Sequence, residues 1–255
     1  MVAFAGARPG VGATGVAVGV AALAARAGNR VLLLDAVEDG VLAQRLGARP
    51  DAVTGGPLEV RPGLRLLRAP ADAARVHGRS ADLVVLDTGA GPAGRQAVAA
   101  VADHVVLLTA PDPQAIERLI AEVDIGPRAE VAGPRLLGVV VVGLPAEPRQ
   151  PFVEVRRLLR GRWGETLPVL DRPVRSAPFA AWLAQSHALP LHELLERPDV
   201  VPAGHPRRSE IAGLAADHRH LGQALIEAIT RAEDHPAEGW AMRWNPPLRS
   251  SSRSA

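Results

Sequence analysis

Continuous apolar runs alternate with longer helix-like segments along most of this 255-residue chain. The runs at residues 31–34 and 83–86 are each closed by an aspartate, which is typical of a strand buried on both faces of a sheet. Residues 16–25 have the length and composition of a buried helix. Strands that alternate with helices indicate βαβ units. The pattern therefore predicts an α/β fold, a doubly wound, mostly parallel sheet with helices on both faces.

The predicted elements extend to residue 231. Strands are predicted over residues 2–5, 30–35, 64–67, 82–88, 104–109, 136–143 and 166–170. Helices are predicted over residues 16–25, 41–46, 93–101, 113–123, 152–160, 179–185, 191–195 and 209–231, the last capped by Ser209. The Pro- and Gly-rich residues 50–63 are predicted to form a connection. From residue 234 onward Pro, Ser and Arg dominate, so we predict one domain over residues 1–233 and an irregular tail over 234–255.

All 29 basic side chains are arginines, and lysine, cysteine and tyrosine are absent. The net charge of +2 therefore changes little over a wide range of pH, and the resulting high isoelectric point does not by itself indicate nucleic-acid binding. The absence of cysteine excludes disulfides and thiol catalysis. We expect no signal peptide and no transmembrane segment. We therefore expect a cytoplasmic protein. Peripheral association with a membrane or with the nucleoid is compatible with this expectation.

A glycine-rich segment joins the first predicted strand to the first predicted helix. Strand, glycine loop and helix form a phosphate-binding arrangement, because backbone N–H groups and a helix N-terminus converge on one anion. The usual loop ends in Gly-Lys-Ser/Thr, whereas this one ends in Gly12-Ala13-Thr14 and has no lysine. The predicted phosphate-binding residues are Arg8, Pro9, Gly10, Val11, Gly12, Ala13, Thr14 and Gly15.

Two acids lie at the ends of predicted strands, Asp35 and Asp87. The carboxyl ends of parallel strands meet at one edge of a doubly wound sheet, where the glycine loop also lies. Two carboxylates and the Thr14 hydroxyl are oxygen ligands of the kind that Mg²⁺ takes. The sequence therefore predicts a magnesium site formed by Thr14, Asp35 and Asp87. The alternative for each acid alone is a role at the strand end without a metal.

The order of motifs resembles the ParA/MinD group of P-loop ATPases, which have a deviant phosphate-binding loop. The matching segments are residues 8–14 (RPGVGAT), 35–40 (DAVEDG), 86–91 (LDTGAG), 102–113 (ADHVVLLTAPDP), 172–175 (RPVR) and 186–191 (SHALPL). The resemblance covers residues 1 to about 231. It implies ATP or ADP with Mg²⁺ as cofactors and adds Arg172 to the nucleotide-binding residues. It also implies a homodimer formed around the nucleotide, with Arg8 in the place of the family's lysine that reaches the partner's nucleotide.

Three positions depart from the family pattern. The family's second loop lysine falls on Ala13, its water-orienting acid falls on Val37, and Pro9 removes a backbone donor from the loop. Glu38 or Asp39 are the candidate substitutes for the acid. One well-placed transition-state donor is worth roughly 3–4 kcal/mol, so losing two groups would slow turnover on the order of 10⁴-fold or more. We therefore predict weakened or absent ATP hydrolysis.

The resemblance implies a protein that positions or partitions cellular cargo, such as a chromosome, a plasmid, a septum or a polar apparatus. One alternative is an active Mg-ATPase in which Arg8 replaces the missing lysine. Another alternative is a scaffold that binds no nucleotide and acts through protein contacts.

Two further segments suggest partners. Arg156, Arg157, Arg160 and Arg162 form a basic cluster that could contact DNA non-specifically, although a solvated helix face explains it as well. Trp240 and Trp244 lie in an otherwise aromatic-poor chain and suggest a peptide that docks on a protein partner. The alternative is that both tryptophans fold back onto the domain.

Overall fold

The computed structural model describes residues 1–8, 10–36, 41–88, 100–121, 123–127, 133–145, 150–163, 169–234 and 240–244. The predicted helix over 93–101 and the predicted strand over 166–170 fall largely outside these ranges. Val169, at the edge of one range, makes an isolated parallel bridge to Val139.

Ten strands are present within the described residues. They are β1 (Val2–Gly6), β2 (Val31–Asp35), β3 (Leu58–Arg61), β4 (Leu64–Arg68), β5 (Leu83–Asp87), β6 (His104–Thr109), β7 (Val123–Pro127), β8 (Arg135–Leu144), β9 (Val174–Arg175) and β10 (Trp240–Trp244). The α-helices are α1 (Ala13–Arg26), α2 (Val41–Arg45), α3 (Ala73–His77), α4 (Pro113–Ala121), α5 (Gln150–Trp163), α6 (Pro178–Ser186), α7 (Leu191–Leu195) and α8 (Arg208–Asp234).

The strands form one sheet in the order β3-β4-β2-β5-β1-β6-β8-β10-β7, and β9 also pairs with β8. The central pairs β4-β2, β2-β5, β5-β1, β1-β6 and β6-β8 are all parallel. Strands β5 and β2 lie on one side of β1, and strands β6 and β8, which come later in the chain, lie on the other side. The strand order therefore reverses beside β1, which is where doubly wound folds bind ligands.

Helices cover both faces of the sheet, as predicted. On one face, Phe4, Leu33 and Val85 pack with the small residues of α1 and with buried residues of α6, α7 and α8. On the other face, Leu34 and Leu86 pack with buried residues of α3, α4 and α5. Strand β2 is buried along its whole length because both faces are covered.

The differences from prediction lie mainly at the sheet edges. The predicted connection over residues 50–63 contains β3, a half-buried edge strand with alternating apolar and polar residues, which is a weak sequence signal. The helix predicted to reach Val123 ends at Ala121, and β7 begins at Val123. Ser209 lies inside α8, which begins one residue earlier.

The prediction of an irregular tail is wrong for residues 240–244. These residues form β10, which pairs antiparallel with β7 and touches β8 at Arg243 and Arg135. A strand at the edge of a sheet has backbone N–H and C=O groups without partners. Residues 240–244 pair with such groups of β7 and β8. The backbone at Trp240 and Trp244 thus folds back onto the domain. Residues 235–239 and 245–255 lie outside the described residues.

Candidate functional site

The two predicted acids lie side by side at the carboxyl edge of the sheet. Asp35 of β2 is in register with Asp87 of β5, and Asp87 is in register with Phe4 of β1. Both aspartates are only 2% exposed. The odd-numbered residues of β2 and β5, such as Leu33 and Val85, pack on the face that α1 covers. The structure therefore places both acids on that face near the carboxyl edge of the sheet, with Asp87 on the strand next to β1 and Asp35 one strand further away.

The loop between β1 and α1 is closed tightly over Gly6. A Cβ atom at Gly6 would lie 2.5 Å from Val11 Cγ1 and 3.2 Å from the Arg8 carbonyl oxygen. Gly10 and Gly12 have φ angles of 77° and 95°, which favour glycine, and Gly12 caps the N-terminus of α1. The sequence thus supplies glycine where the loop needs left-handed backbone and close approach. Pro9 lies outside the described residues.

Ala13 is the first residue of α1 and faces the inside of the loop. Its side chain is 8% exposed, and its Cβ would lie 3.7 Å from a Cβ at Gly6. The methyl group packs with the core and provides neither a charge nor a hydrogen-bond donor. The loop is therefore shaped like a phosphate cradle but lacks a cation at this position.

A cavity of about 450 Å³ opens beside the loop. Loop residues form one part of its lining, including Arg8, Gly10, Val11, Gly12, Ala13, Thr14 and Gly15. Another part is largely apolar and includes Leu189, Leu191 and Leu214. The lining also includes Arg45 of α2 and His218 of α8, which we did not predict from the sequence. A cavity of this volume can hold a small ligand with an apolar part and an anionic part.

The predicted metal ligands are Thr14, Asp35 and Asp87. Thr14 is half-buried in the first turn of α1 and lines the cavity, whereas neither Asp35 nor Asp87 is part of that lining. Next to Asp87, the Thr88 hydroxyl donates to the Phe4 carbonyl oxygen at 3.1 Å, which ties β5 to β1. In the described ranges, no group of three or more His, Cys, Asp and Glu side chains is arranged so that it could hold a metal ion. Two buried carboxylates and one hydroxyl still fit Mg²⁺, which keeps several water ligands in proteins.

Arg8 lies at the mouth of the cavity and already has an acidic partner. Its guanidinium Nη2 is 3.2 Å from Asp112 Oδ2, and its side chain is 46% exposed. Asp112 lies between β6 and α4, and its Oδ1 accepts a hydrogen bond from the Ala115 N–H at 2.9 Å. The ion pair therefore joins the two loops on either side of the point where the strand order reverses.

Arg172 and Arg175 both line a second cavity of about 120 Å³, and of the two Arg175 alone also lines the cavity beside the loop. The Nε and Nη2 of Arg175 donate to Asp217 at 2.7 and 3.0 Å, and these hydrogen bonds raise the pKa of Arg175. Arg175 thus anchors β9 to α8.

Other candidates divide into two groups. Val37, Glu38 and Asp39 lie outside the described residues, as do 89–99. Within the basic cluster of α5, Arg156 pairs with Asp171 and Arg157 pairs with Glu154, both at 2.6 Å. These ion pairs neutralise part of the cluster, so its arrangement gives no support beyond the sequence for a DNA-binding surface.

Solved structures share this architecture over almost their whole length. A ParA family ATPase from Chlorobium tepidum TLS matches with a TM-score of 0.57 and 14% identity, covering 86% of this chain and 97% of the other. McdA from Cyanthece, without ligand, matches with a TM-score of 0.61 and 14% identity, covering 85% and 98%. The septum site-determining protein MinD of Pyrococcus horikoshii OT3, complexed with Mg-ADP, matches with a TM-score of 0.57 and 15% identity, covering 88% and 99%.

These matches establish that the chain has the fold of the ParA and MinD P-loop proteins, as the motif order predicts. No family model matches the sequence. No curated protein matches it in a sequence search. Among the described helices, none is both long enough and apolar enough to cross a bilayer.

Proposed function

We propose that this chain binds a nucleotide and positions or partitions cellular cargo in the manner of ParA and MinD proteins, with weakened or absent ATP hydrolysis. The observation that supports this proposal most is the glycine loop between β1 and α1. It borders a cavity of about 450 Å³ and lies at the same sheet edge as two buried aspartates. Strand order reverses at this place, where α/β folds bind ligands.

ATP or ADP with Mg²⁺ fits the donor set. The loop N–H groups and the N-terminus of α1 would hold phosphate oxygens. Thr14, Asp35 and Asp87 would hold Mg²⁺, which neutralises charge on the phosphates when it is bound. The apolar part of the cavity would cover the less polar end of the nucleotide. The MinD match complexed with Mg-ADP supports this choice of ligand by its fold.

A nucleotide-dependent homodimer belongs to the same proposal. Arg8 is at the cavity mouth and is half-exposed, so it could leave Asp112 for a phosphate of the partner subunit. The exchange would replace one exposed ion pair by another contact, and exposed pairs contribute only about 0–1 kcal/mol. Dimerisation would then couple nucleotide binding to cargo placement.

Weak hydrolysis follows from the chemistry of the loop. Phosphoryl transfer depends on positioning and on neutralising charge on the transferred group. The Ala13 methyl group can do neither, and the sequence has Val37 where the family has an acid. The protein would therefore behave as a switch that depends on nucleotide occupancy and turns over slowly.

A phosphate-release assay tests the enzymatic part. The unmodified protein should release phosphate from Mg-ATP at a rate close to the background. The Ala13→Lys/Val37→Asp variant, which restores both missing groups, should be faster. Equal and substantial rates for the two proteins would show that the natural loop is competent, and the claim of weakened hydrolysis would be wrong.

A further inference from the structure

Arg45 is brought to the candidate nucleotide site by a short helix. It is the last residue of α2, and the buried residues Leu42 and Ala43 fix that helix against the core. Its Nη1 atom lies 3.8 Å from the position that a Cβ at Gly15 would take, so the guanidinium is close to the first turn of α1. Arg45 also lines the cavity together with the glycine loop.

The Arg45 guanidinium is poorly compensated in the protein alone. Its Nε atom is buried and has no hydrogen-bond partner among the described residues. Burial lowers the pKa of Arg45, and the charge of Asp87 opposes this shift. Arginine is almost always charged in proteins, so the half-buried Arg45 stays a cation. A half-buried cation whose Nε donor is unsatisfied costs free energy that an incoming anion can recover.

We propose that Arg45 is the phosphate-binding cation of this site and takes the role that Ala13 cannot perform in the loop. The proposal rests on the nucleotide-binding function proposed above. A guanidinium presents several N–H donors in one plane and matches the oxygens of a phosphate. The charge then comes from α2, whose Arg45 lies beside Gly15 in the first turn of α1, and the methyl group at position 13 becomes compatible with binding.

Arg8 is a weaker candidate for the same role. Its guanidinium already lies 3.2 Å from Asp112, and nearly half of its side chain is exposed. Its charge is therefore compensated by an acid and screened by solvent. Arg45 has neither a carboxylate partner within hydrogen-bond distance at its Nε nor comparable solvation.

Isothermal titration with Mg-ADP tests the proposal on the full chain. Arg45→Gln should bind about 10- to 100-fold more weakly than the unmodified protein, the effect expected for one hydrogen-bonded charge. The matched control is Arg49→Gln, which removes a side chain that is 82% exposed and paired with Asp51. This control should bind as the unmodified protein does. Far-UV circular dichroism checks that each variant is folded.

A rescue experiment distinguishes two roles of Arg45. In one it binds the phosphate, and in the other its charge only stabilises the buried Asp87. The Arg45→Gln/Ala13→Lys double variant should regain most of the lost affinity, because the lysine returns a cation to the loop. An Arg45→Gln variant that binds within about twofold of the unmodified protein overturns the proposal. So does a loss that Ala13→Lys fails to recover. If the unmodified protein itself binds no Mg-ADP, the proposed function fails as well.

Discussion

His218 should make the stability of this protein depend on pH. It lies on α8, is 5% exposed, and packs so closely on α1 that a Cβ at Gly19 would overlap its Nδ1. That Nδ1 has no hydrogen-bond partner among the described residues. Burial lowers the pKa of His218 to about 4. The charge of His192 lowers this pKa further, whereas the charge of Asp217 opposes the shift. The folded state therefore keeps the imidazole neutral.

The sign and size of the effect follow from proton linkage. In the unfolded chain the histidine has its usual pKa of about 6.5. Between about pH 6.5 and pH 4 the unfolded chain binds a proton that the folded protein does not, so stability falls as the pH falls. The contribution of His218 is complete above pH 6.5 and is lost by pH 4. A difference of 2.5 pKa units corresponds to a loss of about 3 kcal/mol.

Urea unfolding followed by circular dichroism at pH 7.5, 6.0 and 5.0 measures the part of this loss that falls above pH 5, about 2 kcal/mol. His218→Leu removes the titrating group and should flatten the pH dependence relative to the unmodified protein. His220→Leu is the matched control, because His220 is exposed on the same helix and its replacement should leave the pH dependence unchanged. If the unmodified and His218→Leu curves stay parallel within about 0.5 kcal/mol, the usual scatter for surface changes, burial of a neutral His218 is refuted.

Two further predictions concern the loop and its support. Gly6→Ala places a Cβ 2.5 Å from Val11 Cγ1. The free energy of unfolding measured in urea should therefore fall by about 1–3 kcal/mol, and Mg-ADP should bind more weakly. Unchanged values for both would contradict the tight loop. Asp217→Asn removes the acid that accepts two guanidinium hydrogen bonds from Arg175. Thermal unfolding should therefore show that the free energy of unfolding falls by about 1.5–3 kcal/mol. An unchanged midpoint would show that this anchor is dispensable.

The central sheet and the paired acids could be predicted because both follow from local patterns. Apolar runs closed by an acid place Asp35 and Asp87 at strand ends, and the parallel order then brings those ends together. Gly10 and Gly12 could likewise be identified, because left-handed backbone in a strand–loop–helix unit favours glycine. The fold and the acidic side of the candidate site were therefore accessible from the sequence.

Arg45 and the outer strands could not be predicted in the same way. Arg45 reaches the loop only because α2 packs Leu42 and Ala43 into the core and turns its last residue toward Gly15. Such placement is a tertiary effect with no local sequence signal. Strand β10 depends on pairing with β7, more than 100 residues earlier, at an edge that short alternating segments do not reveal.

The central claim is that the glycine loop still binds a nucleotide without its lysine. Isothermal titration of the unmodified protein with Mg-ADP tests it most directly. We predict saturable binding of one nucleotide per chain, weakened when Mg²⁺ is removed by chelation. No heat of binding, together with no shift of the thermal unfolding midpoint at millimolar Mg-ADP, would contradict the account and leave a fold without its ligand.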